Sequence, residues 1–85
     1  MMVRYWLCVT DDENWSIVRE RGVWGVPERR RGVLERVSPG DLLVFYVAPR
    51  RLGGIFKVVS KPYESGEEIF RGGLYPFRVD ISPVR

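Results

Sequence analysis

The clearest alternation of apolar and polar positions comes at the start of the chain. Val3, Tyr5, Leu7 and Val9 fall at every second position, with Arg4, Trp6, Cys8 and Thr10 between them, so Met1 to Thr10 reads as a strand. The second set is only partly polar, which predicts cover on much of both faces and an inner place in a curled sheet. Asp11-Asp12-Glu13-Asn14 then offers carboxylates to the free amides and the positive end of a helix. That helix should run to about Arg21 and stop at Gly22. Trp15, Ile17 and Val18 are its packed side, and Arg19, Glu20 and Arg21 face water.

Val23 to Arg31 carries no such period. Trp24 stands between Val23 and Gly25, followed by Val26, Pro27, Glu28, Arg29, Arg30 and Arg31. Glycine admits close backbone approach and proline fixes φ, so the segment reads as a loop holding one indole beside three arginines. Arg30 to Val37 places Val33, Leu34 and Val37 at helical spacing and predicts a brief second helix. Ser38-Pro39-Gly40-Asp41 is a turn. It launches Leu42 to Ala48, the most apolar segment and the expected central strand, which Pro49 ends. Arg50 and Arg51 fall at the tip of the next turn, and Gly53-Gly54 relaxes the backbone. Ile55 to Ser60 should then pair antiparallel with Leu42–Ala48.

Lys61-Pro62-Tyr63 leads off the sheet edge, and Glu64 to Gly73 reads as a loop around one apolar pair, Ile69-Phe70. Leu74 to Ile81 is the last strand, with Tyr75, Phe77, Val79 and Ile81 on one face and Arg78 and Asp80 on the other. Pro76 marks an edge position or a strand start. Four strands with two small helices inserted early predict an α+β fold. The sheet should be small, curled, and mixed or mostly antiparallel, of the kind that closes readily into a partial barrel. Without repeats, low-complexity tracts or a linker, a second domain is not expected.

Composition adds bounds. A chain of 85 residues makes one small domain with a thin core, and 45% hydrophobic with 29% charged residues argues against wholesale disorder. Cys8 is the one cysteine and reads as a buried thiol. No apolar run approaches a bilayer span and the opening lacks a secretion signal, so a cytoplasmic setting without a membrane is expected. Formal net charge is +3, and the basic residues are nearly all arginine, whose planar fork favours anionic or flat partners.

Much chemistry is excluded. With no histidine, neither a histidine-based triad nor a histidine metal cluster can form, and one cysteine cannot supply a zinc finger. Asp11, Asp12 and Glu13 read as a helix start, and Glu64, Glu67 and Glu68 as a solvated loop, so no metal is expected. The glycines form no phosphate-binding loop. An enzyme and a cofactor are therefore not expected, although an arginine-and-carboxylate site stays open. Binding chemistry is better represented. Trp24, with Trp6 or Tyr46 as a second flat face, could stack a base, while Arg29, Arg30, Arg31, Arg50 and Arg51 could neutralise phosphates. Gly25, Val26 and Pro27 would position the indole. The plainer alternative makes Trp24 core filling and the arginines a solvated face.

One series of segments says more. It runs Tyr5-Trp6-Leu7-Cys8-Val9-Thr10, Asn14-Trp15, Val23-Trp24-Gly25-Val26-Pro27, Pro39-Gly40 and Val44-Phe45-Tyr46-Val47. Gly54-Ile55-Phe56, Val59-Ser60, Pro62-Tyr63 and Tyr75-Pro76-Phe77-Arg78-Val79 complete it. In this order and spacing the chain resembles the EVE domain family. The resemblance implies one PUA-like barrel over residues 1–85, related in architecture to YTH domains, which hold a methylated adenine in an aromatic cage.

EVE domains are thought to read modified bases, such as methylated or hydroxymethylated cytosine, and are often linked to restriction or other defence functions. By this resemblance Trp24 belongs to the pocket, and Thr10 and Asp11 lie beside the same cavity. Members commonly carry asparagine near the second of these, so base contacts by Asp11 would differ. Usual members continue past the position of Arg85 with further strand and helix, so an incomplete, C-terminally shortened barrel is expected, and its exposed apolar edge favours a homodimer. The expected function is non-catalytic binding of single-stranded or flipped-base DNA or RNA. The alternative is a structural or protein-interaction module that has lost the family's pocket.

Overall fold

The computed structural model describes residues 2–84. Six strands and two short helices follow one another as β1 (Tyr5–Thr10), α1 (Asp12–Arg21), β2 (Val23–Val26), a 3-10 turn at Glu28–Arg30, α2 (Arg31–Leu34), β3 (Leu42–Val47), β4 (Arg51–Val58), β5 (Tyr63–Glu64) and β6 (Phe77–Pro83). The strands form a mixed sheet in the order β1-β3-β4-β6-β2, with β5 also on β6. Among the described residues only the β1–β3 pair is parallel. The sheet curls into an incomplete barrel, giving the expected α+β fold.

Alternation decides which face is core. Leu43, Phe45 and Val47 of β3 are buried, as are Phe56 and Val58 of β4 and Phe77, Val79 and Ile81 of β6. Phe45 sits at the middle of this face. Ring centroids of Trp15, Phe56 and Trp24 lie 5.3, 5.5 and 5.2 Å from its own, which makes one aromatic cluster. Trp15 reaches the cluster from α1, whose ends are as expected: Asp11 accepts from the Asn14 N–H at 2.9 Å, and Gly22 closes the helix at φ 66°. Gly53 has a packing reason rather than a flexible one. A Cβ there would stand 2.8 Å from the Trp15 ring and 2.9 Å from Val47, and the strand pairing shifts register at this point.

Several expectations change. β1 is an edge strand rather than an inner one: Trp6, Cys8 and Thr10 face inward, while Tyr5, Leu7 and Val9 stand exposed. Alternation correctly separated the two sets, but the less polar set is the one left uncovered. Met1 lies outside the described residues. The Trp24 segment, expected as a loop, is strand β2, antiparallel to β6 with Trp24 opposite Val79 and Gly25 opposite Arg78. Four residues containing a glycine show too little period to announce a strand; pairing with β6 creates it. Tyr63 and Glu64, expected to leave the sheet, form β5 on β6. β4 begins at Arg51, so that residue lies in a strand and not at a turn tip. β6 begins only at Phe77, so of the two expectations for Pro76 the strand start holds and the edge does not: the strand is flanked by β4 and β2. Its Arg78, expected on a polar face, is 2% exposed. Among the described residues no helix is long and apolar enough to cross a membrane.

Candidate functional site

The two ends of the strand order, β1 and β2, each pair on one side only. Between them lies a cleft of about 460 Å³, lined by consecutive residues of both strands, Trp6 to Thr10 and Trp24 to Val26, with Pro27 following. The volume falls within the range of roughly 300–1,000 Å³ found for small-molecule sites. Its position follows from the topology: an unclosed barrel leaves a seam where its end strands fail to meet.

Trp24 is half-buried in this seam. Its ring meets that of Phe45 nearly perpendicularly, at 85°, and the residue lines the cleft. It is therefore neither sealed in the core nor free. Trp6 lines the same cleft from β1, held by its indole N–H donating to the Asp41 carboxylate at 3.0 Å. That carboxylate also accepts from the Ser38 N–H at 3.0 Å and the Arg4 N–H at 3.4 Å. Burial works to raise the Asp41 pKa, but the hydrogen bonds from Ser38, Trp6 and Arg4, with the Arg4 charge, outweigh it and hold the group below its ordinary value. Cys8 borders the cleft from the same strand, and burial pushes its thiol up to about 12, so it stays protonated and unreactive.

Thr10 and Asp11 line the cleft at the end of β1, followed by Asn14 from α1. Asn14 has a second task. Its amide nitrogen donates to the Arg71 carbonyl at 2.9 Å and its oxygen accepts from the Arg71 N–H at 2.7 Å, which ties the loop before β6 to the helix. From that loop Phe70 and Tyr75 form the wall behind Gly25, their rings 5.7 Å apart and edge-on. A Cβ on Gly25 would meet the Tyr75 carbonyl at 2.7 Å and the Phe70 ring at 2.8 Å, so only glycine lets β2 and this wall approach. Tyr75 itself adopts φ 47°, a costly conformation for a residue with a side chain.

Arg78 holds the wall in place. Its guanidinium donates to the carbonyls of Tyr75 and Leu74, each at 3.0 Å, to Ser65 Oγ at 3.0 Å and to the Glu67 carbonyl, and it lies 5.3 Å from the centre of the Phe70 ring. A buried cation surrounded by oxygens of one loop fixes that loop's shape. Nothing in the alternation of β6 pointed to this; the apolar pair Ile69-Phe70 in a polar loop was the one visible signal.

Arg29 and Arg30, exposed on the 3-10 turn, line the opposite rim. Among the described residues neither is in an ion pair. The other candidates lie elsewhere. Arg31 pairs with Glu28 and Glu35 and lies over the Phe77 ring, and Arg51 pairs with Asp12. Arg50 is exposed in the turn before β4. Tyr46 does not reach the cleft, because successive residues of a strand point to opposite faces and Phe45 takes the inner one. Its hydroxyl donates to the Pro49 carbonyl. Among the described residues no group of three or more cysteine, aspartate or glutamate side chains is placed to hold a metal ion.

Residues 4–85 match the model of the EVE domain. The chain belongs to the EVE domain family. A UPF0310 protein of Pyrococcus abyssi is 47% identical over 94 residues, covering 95% of this chain and 66% of the relative. A UPF0310 protein of Pyrococcus horikoshii is 41% identical, with the same two shares. The chain thus spans just under two thirds of the length of these relatives. Among solved structures, the Mmi1 YTH domain superposes with a TM-score of 0.77 at 15% identity, over 98% of this chain and 60% of that one. A crystal structure of the Mmi1 YTH domain in complex with RNA gives 0.75 at 15% identity, over 98% and 53%. At that identity the likeness is one of fold.

Proposed function

We propose that the cleft receives a base of a DNA or RNA strand, single-stranded or flipped from a duplex, and that a methyl or hydroxymethyl group on the base strengthens its hold. The observation that carries this is the half-open indole of Trp24, braced by Phe45 and bordering a cleft with two exposed arginines at its rim. Stacking a base on an aromatic ring contributes about 1–3 kcal/mol and tolerates any sequence. Trp6, pinned through Asp41, is the second flat surface, and Thr10 and Asp11 meet the polar edge of the base. Arg29 and Arg30 contact flanking phosphates; Arg31, Arg50 and Arg51 contribute only the general positive field. A fold shared with a YTH domain crystallised with RNA supports a nucleic acid as the kind of partner. In this role the domain binds and does not catalyse.

The test is titration of fluorescently labelled single-stranded DNA and RNA, plain and base-methylated, at two salt concentrations. Trp24→Ala should weaken binding by about 5- to 150-fold, the loss of about 1–3 kcal/mol of stacking. Because that substitution also removes the contact with Phe45, Trp24→Phe is the companion variant: it should keep the thermal midpoint near wild type and bind with intermediate affinity. Unchanged binding by Trp24→Ala, or no binding of any strand by the wild type at low salt, would refute the proposal.

A further inference from the structure

The face of the sheet turned away from the core carries a second surface, which meets the cleft only along β1, where Leu7 and Val9 border both. Tyr5, Leu7 and Val9 of β1 stand opposite Leu42, Val44 and Tyr46 of β3, and the row continues onto Leu52, Ile55 and Lys57 of β4. Exposure is high at its margins: 68% for Tyr5, 72% for Leu7, 58% for Val9 and 75% for Leu52. Lys57 is the one charged side chain in the array. Those four side chains alone leave on the order of 500 Å² of apolar surface uncovered, near the upper end for the largest patch on a monomer. With the half-buried residues between them, the face approaches the roughly 800 Å² per partner of a stable interface.

We propose that this outer face of β1, β3 and β4 is the interface between two copies of the chain. An almost uncharged three-stranded surface is complementary to itself, since two such sheets can stack about 10 Å apart around a two-fold axis with their side chains interdigitated. A nucleic acid is the wrong occupant, because Lys57 alone could meet its phosphates. The inner face, which holds Trp6 and Trp24, is on the other side of the sheet, so the dimer meets the cleft only at its β1 border, Leu7 and Val9. The proposal stands whether or not the cleft binds a base.

Light scattering over a range of protein concentrations tests it, on the wild type and on Leu52→Lys and Tyr5→Glu, neither of which lines the cleft. The wild type should give twice the 9.9 kDa of one chain, and its thermal midpoint should rise with protein concentration. Each variant should weaken association at least tenfold while retaining the far-ultraviolet circular dichroism of the wild type. A wild type that stays at one chain's mass throughout would overturn the proposal, including one whose face is covered only by a different protein. So would a dimer that both variants leave intact.

Discussion

At the residue scale, the cleft depends on groups that never touch a guest. Asp41 collects three N–H donors and thereby fixes the start of β1, the turn before β3 and the Trp6 indole together. Asp41→Asn would set an amide N–H against one of those donors and should cost about 1–3 kcal/mol in urea unfolding at pH 7. The pH dependence has a definite sign. A carboxyl whose folded pKa lies below its ordinary 3.8 stabilises the fold above that pH, and the contribution is lost as pH falls through the folded value. The stability gap between wild type and Asp41→Asn should therefore be constant at neutral pH and shrink below pH 3.8. A gap that persists unchanged into acid would place the effect in packing instead. Gly25 offers a second case. With backbone and an aromatic ring both under 3 Å from an added Cβ, Gly25→Ala should destabilise by about 1–3 kcal/mol and displace the Phe70–Tyr75 wall. A crystal structure or nuclear Overhauser contacts would show whether the wall has moved.

At the element scale, what could be read from sequence and what could not divide along a physical line. β1, α1, the turn into β3 and β3 itself were legible because each carries its own signal: alternation, a capping aspartate, a terminating glycine, an apolar run. β2 and β5 were not, since strands of four and two residues acquire their conformation from β6 and not from local pattern. The same limit hid the wall of the cleft. Trp24, Trp6, Thr10, Asp11, Arg29 and Arg30 were picked out by residue type and by resemblance, and the fold brings all six to one cleft. Phe70, Asn14 and Arg78 were not, because their arrangement rests on contacts such as Asn14 with Arg71, 57 positions apart. The loop from Ser65 to Tyr75 should accordingly behave as a unit held by Arg78. Hydrogen exchange of Arg78→Met should show amides of this loop, that of Arg71 included, exchanging at least tenfold faster, with β3 unchanged. Uniform acceleration across the chain would mean that Arg78 supports the whole fold and not this loop in particular.

At the scale of the whole molecule, an open barrel presents two distinct surfaces, an apolar outer sheet and a seam with tryptophans inside and arginines at one rim. Net charge of +3 is modest, so under the proposed function the field that draws in an anionic strand would be local, with Arg29 and Arg30 as its source at the cleft. Replacing both with alanine should lower affinity for every strand alike and reduce the slope of log affinity against log salt by about two. A slope that stays the same would remove them from the phosphate path. The central claim, that a flat guest lies against the Trp24 indole, is tested most directly by the three indole N–H resonances in a nitrogen–proton correlation spectrum. Trp15, 6% exposed in the core, is the internal control. Addition of a methylated single-stranded oligonucleotide should shift the Trp24 indole resonance strongly and leave that of Trp15 in place. An unmoved Trp24 signal under conditions where the oligonucleotide demonstrably binds would contradict it.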